Sequence, residues 1–340
     1  DAIVKSAEIL ERDGDSDEIK SLIDIAMQAG VERNLGHDYL LDIDARYEES
    51  ARITSPTPWD IINELMQGGL GAGELGVIVS PAGIGKTWVL CAMGAYAISQ
   101  KLSVVHYTLE LNEAYVGLRY DSIFSGFEGQ NLKYHKEEVM EKLFKLDGKL
   151  TIKYYPTKSC TVNTLSAHLK KAMTFGEKID MVIVDYADIM RDIHKTREVR
   201  HALGNIYEDL RGMAGEFQIP VWTASQANRS ALDEDVIEAS RIAESYAKIM
   251  VADFVMSLSR KIEDKIGNTG RFHVIKNRFG PDGLTYPARI NTNIGKIELF
   301  EATSIQGKDI QYKIKNRDNQ AKQILSLRYD DLMKGKEIDN

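Results

Sequence analysis

The chain has 340 residues, 43% of them hydrophobic and 28% charged, and a formal net charge of −8. That composition suits a globular protein with an ample core. Two cysteines, Cys91 and Cys160, exclude a disulfide scaffold and fit a reducing cytosol. No run approaches the roughly 18 apolar residues of a membrane-spanning helix, so no membrane partner is expected. The acidic balance excludes diffuse polyanion binding, and any nucleic-acid contact is expected to be local.

The N-terminal part of the chain opens with a helical pattern. Ile19, Leu22, Ile23 and Ala26 fall at i, i+3, i+4 and i+7, with Ser16 as N-cap and Gly30 as stop. This helix packs either on its own domain or on another subunit, and the spacing alone leaves both open. A second helical stretch covers Tyr39–Ser50. Thr54-Ser55-Pro56-Thr57-Pro58 then marks a domain boundary.

From Gly73 onward short apolar runs alternate with helical segments. Val77–Val79, Val104–Tyr107, Met181–Val184 and Val221–Ala224 are β-branched or aromatic and do not alternate, as buried central strands require. Val199, Leu203, Ile206, Leu210, Met213 and Phe217 repeat at steps of four and three, which predicts a long helix. The expected fold is α/β, with a mostly parallel central sheet flanked by helices. Phe254–Ser259, Phe272–Lys276, Ala288–Asn291 and Ile297–Phe300 read as antiparallel strands added on the C-terminal side. The expected units are a helical linker region (1–55), the α/β domain (56–305) and a polar, partly disordered tail (306–340).

Between the first strand and a helix starting near Lys86 lies Ser80-Pro81-Ala82-Gly83-Ile84-Gly85-Lys86-Thr87, followed by Trp88. Strand, glycine-rich loop and helix together make a phosphate-binding P-loop. Gly83 and Gly85 let backbone N–H groups converge on phosphate oxygens, and the helix N-terminus adds partial positive charge. Lys86 reaches the β- and γ-phosphates and the Thr87 hydroxyl ligates Mg²⁺. Ser80 stands where the motif usually has glycine. A lysine at a helix start opposes the helix dipole, and a bound phosphate supplies the reason for it.

Asp185 follows the apolar run Met181–Val184, at the strand end where ligands of parallel sheets gather, and fits a second Mg²⁺ ligand. The plainer reading is a helix cap. Glu110 follows the second strand, where a carboxylate could polarise a water against the γ-phosphate. Its plainer reading is a cap for the helix from Asn112. Gln226 closes Thr223-Ala224-Ser225-Gln226 and could sense the γ-phosphate by hydrogen bonding. It could equally be a satisfied polar cap.

The P-loop, Thr108-Leu109-Glu110-Leu111, Val184-Asp185-Tyr186, Ala224–Ser230 and Lys276-Asn277-Arg278-Phe279-Gly280 resemble, in order and spacing, the motifs of DnaB-type hexameric replicative DNA helicases. Gly36–Leu40 and Tyr154-Tyr155-Pro156-Thr157 resemble the T-even-type bacteriophage members most. The resemblance implies a RecA-like fold and an ATP- and Mg²⁺-dependent motor that translocates on single-stranded DNA and unwinds duplex. It implies Glu110 as catalytic glutamate and Gln226 as the link from the γ-phosphate to DNA-binding loops. Lys276 and Arg278 would act on the neighbouring subunit's nucleotide, Arg278 as an arginine finger, a role that a planar guanidinium suits.

By the same resemblance, DNA contacts come from Arg191, Lys195 and Arg197, then Arg229, then Glu244 and Ser245. Ala243 and Tyr246 depart here from the arginine and glycine of many relatives. A homo-oligomeric ring, a primase and a helicase loader are the implied partners, in a bacterial or phage-infected host cytosol. The resemblance implies that most of the N-terminal domain of whole helicases lies outside this sequence, and that the Ser16–Gly30 helix is expected to be a linker docking on the adjacent protomer. Two alternatives share the fold. One is a filament-forming recombinase of the RecA or RadA kind, and the other is a nucleotide-switched scaffold or loader.

Overall fold

The structure, a computed structural model, describes residues 38–44, 47, 52–194, 196, 198–228, 231–232, 234–238 and 246–316. The expected Ser16–Gly30 helix lies outside them. The chain divides into two units, Asp1–Arg52 and Ile53–Asn340. In the first, Asp38 closes a turn by accepting from the N–H groups of Leu40 and Leu41 at 3.0 and 2.9 Å. Residues 43, 44 and 47 are helical.

The second unit begins with two short strands, β1 (Thr54–Ser55) and β2 (Leu70–Gly71), paired antiparallel around the helix Asp60–Leu65. Nine further strands form one sheet. In chain order they are β3 (Leu75–Ser80), β4 (Ser103–Thr108), β5 (Lys149–Tyr154), β6 (Met181–Asp185), β7 (Val221–Gln226), β8 (Phe254–Ser259), β9 (Thr269–Asn277), β10 (Thr285–Asn291) and β11 (Lys296–Leu299). Their spatial order is β11-β10-β9-β8-β3-β7-β6-β4-β5. From β8 to β5 all pairings are parallel, and from β8 to β11 they are antiparallel.

Successive side chains of a strand point to opposite faces, and here both faces are apolar. Ile78, Ile183, Trp222 and Ala224 join one core with Val89, Leu90 and Met93 of the helix Lys86–Ser99. Val77, Val79, Val182 and Val184 join the other, with Leu165 and Leu169 of the helix Val162–Thr174 and Leu203, Ile206 and Leu210 of the helix Val199–Phe217. Each fully buried aliphatic side chain contributes about 1.5–3 kcal/mol. This explains why the central strands carry no polar alternation.

Three expectations change. Phe254–Ser259 is parallel to β3, with Gly76 opposite Phe254 and Val79 opposite Ser257, so the antiparallel extension begins only at β9. Lys149–Tyr154 is an unexpected strand at the sheet edge, where alternating exposed positions hide the β signal. Residues 305–316, expected as the start of a polar tail, form a helix that buries Ile310 and Ile314. Among the described residues no helix is long and apolar enough to cross a membrane. Both cysteines are free and buried.

Candidate nucleotide site

The strand order sets the site. β4, β6, β7 and β3 are neighbours in the parallel sheet, so Glu110, Asp185, Gln226 and the loop after Ser80 emerge at one edge. β3 is followed by a loop and the helix Lys86–Ser99, which buries its apolar side against the sheet. The loop reverses through Gly83 at φ 70° and Gly85 at φ 123°, a backbone region that side chains disfavour. A β-carbon at Gly83 would meet nothing within 4 Å. The space beside Gly83 is therefore open.

Lys86 is only 9% exposed. Its ammonium donates to the carbonyl oxygens of Ser80 at 3.1 Å and Pro81 at 3.2 Å. Burial pulls its pKa down, while the carboxylates of Asp185, Glu110 and Asp188 pull it back up. A cation is therefore held against the loop, within reach of the carboxylates at the sheet edge. The Tyr186 ring lies 5.5 Å from it.

Asp185 is 1% exposed, and neither carboxylate oxygen completes a hydrogen bond of normal geometry. Burial pushes its pKa up to about 6, against the pull of the Thr87 hydroxyl, Arg119 and Lys86. A buried acid left without a partner costs folding energy unless something charged meets it. The helix-cap reading fails, since the 3₁₀ turn Ala187–Ile189 is preceded by Tyr186 and takes no bond from Asp185. An orphaned carboxylate beside a hydroxyl is a donor set that suits a hard divalent cation.

Glu110 lies two residues beyond the end of β4, on a turn tied by Thr108 to Leu111 at 2.7 Å and by Thr157 to Leu109 at 2.9 Å. It is exposed to the cleft and does not cap the next helix. Asn112 does so, accepting from the Tyr115 N–H at 2.9 Å. The amide oxygen of Gln226 accepts from the Tyr186 hydroxyl at 3.3 Å.

Lys86, Thr87, Glu110 and Gln226 share one cleft of about 340 Å³, and the buried Asp185 adjoins its wall through Tyr186. The cleft brings together Ala82 through Trp88, Glu110 and Gln226, with Ser80 and Pro81 behind them as the carbonyls that hold Lys86. It also holds Leu111 and Tyr186, which the motifs contain without a role, and Arg119, Arg260, Lys265 and Thr292, which the sequence did not flag. Arg260 directly follows the last residue of β8, so the strand-end rule that found Asp185 would have found it had the direction of β8 been known. Arg119 stacks over Trp88 at 5.0 Å.

Lys276 and Arg278 do not reach this cleft. Asn277 pairs with Phe254, which is level with Gly76, so both basic residues sit at the strand-start edge, opposite the P-loop. The two edges are roughly 13 Å apart along β3. Lys276 donates to the carbonyl oxygens of Ile249 at 2.9 Å and Met250 at 2.6 Å. Arg278 pairs with the buried Asp253 at 2.9 Å, as does Arg211 at 2.6 Å. Arg191 is exposed beside the β6 turn, its N–H bonded to the Cys160 carbonyl at 2.9 Å. Lys195, Arg197, Arg229, Glu244 and Ser245 lie outside the described residues.

Known proteins share this sequence pattern and this fold. The DnaB-like replicative helicase of Enterobacteria phage T4 is 26% identical over 282 residues, 75% of this chain and 57% of the relative. The replicative DNA helicase DnaB of Helicobacter pylori is 23% identical over 172 residues, 49% of this chain and 35% of the relative. The chain thus spans little more than half the length of the phage protein. Among solved structures, an isolated ATPase domain superposes with a TM-score of 0.67 at 18% identity, covering 78% of this chain and all of that one. A DnaB-like replicative helicase described with its primase interactions gives 0.69 at 17%, covering 88% and 76%. These two likenesses establish a RecA-like fold. A profile of the DnaB-like helicase C-terminal domain matches residues 56–294, and the chain belongs to that family.

Proposed function

We propose that this chain is the ATP-hydrolysing motor of a replicative DNA helicase, which assembles as a ring, translocates on single-stranded DNA and unwinds duplex. One observation carries the reading. One sheet edge gathers the cleft, with its P-loop and candidate catalytic acid, and the orphaned Asp185 at the end of β6, while Lys276 and Arg278 stand at the other. Arg119, Arg260 and Lys265 already line the cleft, and Lys276 and Arg278, displayed on the opposite edge, are the further cations that a second copy would bring to it.

In this reading residues 80–88 cradle the triphosphate, and Lys86 binds its β- and γ-oxygens. Thr87 and Asp185 would hold Mg²⁺, which neutralises phosphate charge when bound. Glu110 takes the proton of the attacking water and Gln226 reads the γ-phosphate. Lys276 and Arg278 of the neighbour meet the charge that develops on transfer. Single-stranded DNA is held through backbone contacts by Arg191, Lys195, Arg197, Arg229, Glu244 and Ser245.

The ring is a hexamer by analogy with the family. A primase is a candidate partner, because one structural neighbour is described with primase. A helicase loader is a second, and a bacterial or phage-infected cytosol is the compartment. Residues 1–55 serve as linker and 56–305 as motor, with the tail after 305 beginning as a helix. The family match weighs against the recombinase and scaffold alternatives.

ATP hydrolysis with and without single-stranded DNA tests the proposal. DNA-stimulated turnover that disappears in both Lys86→Ala and Glu110→Gln supports it. Nucleotide binding with no hydrolysis in the presence of DNA overturns it in favour of a switch.

A further inference from the structure

Beneath the Gln226 end of the cleft lies a buried polar cluster that the phosphate chemistry does not use. One carboxylate, Asp188, organises it. Its Oδ1 accepts from the Tyr207 hydroxyl at 2.7 Å and the Lys248 ammonium at 2.9 Å. Its Oδ2 accepts from the Gln226 N–H at 2.9 Å and the Ser225 hydroxyl at 3.2 Å. Lys248 is 1% exposed and also donates to the Ser225 hydroxyl at 3.3 Å.

Four separate elements meet on that carboxylate. They are the turn after β6, the helix Val199–Phe217, the end of β7 and the helix Tyr246–Val251. Two of them lead toward the predicted DNA contacts: Asp188 precedes Arg191 by three residues, and Lys248 follows Ser245 by three. The third carries Gln226, whose amide meets Tyr186, which in turn lies under Lys86.

Stability does not explain the arrangement. A buried ion pair is on average no better than apolar residues of the same volume. A fully satisfied polar network does fix one geometry among the elements it joins, and it resists intermediate positions.

We propose that Asp188 and Lys248 are positioning residues that couple the γ-phosphate side of the cleft to DNA binding. The ion pair holds the Gln226 backbone, the turn before Arg191 and the helix after Ser245 as one body, so a shift at Gln226 is passed to both DNA-facing segments. This rests on the motor reading above.

The test compares basal and single-stranded-DNA-stimulated ATP hydrolysis in the full chain, with thermal stability measured alongside. Lys248→Met keeps the basal rate and lowers the stimulation ratio by about 10-fold, within the range of measured couplings between sites. The double variant Asp188→Asn/Lys248→Met strands no buried charge, so it recovers stability while the stimulation ratio stays low. If Lys248→Met does not fold, the double variant carries the same expectation. Stimulation equal to wild type in either folded variant overturns the proposal, as does a basal rate that falls in step with the stimulated one. Absence of stimulation in the wild-type chain would instead count against the motor reading.

Discussion

Arg278 donates from its guanidinium to Asp253 at 2.9 Å, at the sheet edge opposite Lys86. Asp253 is 2% exposed and also accepts from the Leu75 N–H at 2.9 Å and from Arg211. A carboxylate anchored in the β3–β8 joint therefore aims Arg278 outward, since the guanidinium is half exposed. Arg278→Ala is expected to lower turnover by about 10³-fold or more. Nucleotide affinity should hold, because the guanidinium meets charge that develops only on transfer in the neighbour's site. Steady-state kinetics and equilibrium nucleotide binding check both halves.

Glu110 makes no cap and no ion pair among the described residues, and Asn112 handles the helix start. Glu110→Gln should therefore leave the melting temperature unchanged while cutting hydrolysis by about 10²–10⁴-fold. A large loss of stability would return Glu110 to a structural role.

Asp185 trades stability for function. Burial raises its pKa from 3.8 to about 6. The folded state holds its proton more tightly than the unfolded state, so this group's stabilising contribution is present at low pH and is lost as pH rises toward about 6. Above that pH the buried charge costs up to about 3 kcal/mol. Asp185→Asn should thus raise the stability of the nucleotide-free chain at neutral pH and abolish Mg²⁺-dependent hydrolysis. Chemical denaturation beside an ATPase assay reads the opposing effects.

His106 titrates with the opposite sign. Its Nδ1 meets the Tyr120 hydroxyl at 2.9 Å, its Nε2 is buried without a partner, and burial lowers its pKa from 6.5 to about 3. The neutral ring contributes stability above pH 6.5 that is lost as pH falls toward about 3. Between pH 7 and 5 the wild-type chain should lose about 2 kcal/mol more than His106→Gln. Asp185 works against this loss in both proteins and cancels in the comparison. Parallel slopes in denaturant titrations would contradict the assignment.

Local sequence showed what local physics controls. β-branched runs marked β3, β4, β6 and β7, and the Leu203–Met213 stripe marked its helix, because burial on both faces leaves no polar alternation to confuse the pattern. Lys149–Tyr154 escaped because an edge strand wets one side, and its lysines broke the apolar run. The direction of β8 escaped because it depends on a crossover whose partner, β3, lies about 180 residues away. The helix over 305–316 escaped because Ile310 and Ile314 stand among charges. Within the cleft, residues of the loop and strand ends were legible from position. Arg119 and Thr292 reach it from a helix face and a hairpin, and no spacing announces them.

The central claim is that the site is built from two copies, and mixing two inactive variants tests it. Lys86→Ala removes a chain's own phosphate grip and keeps the Arg278 it offers to a neighbour, while Arg278→Ala does the reverse. Mixed oligomers are predicted to regain ATP hydrolysis well above the sum of the two variants alone, because some interfaces then pair an intact P-loop with an intact Arg278. A mixture no more active than that sum, with co-assembly verified, would contradict completion of the site in trans.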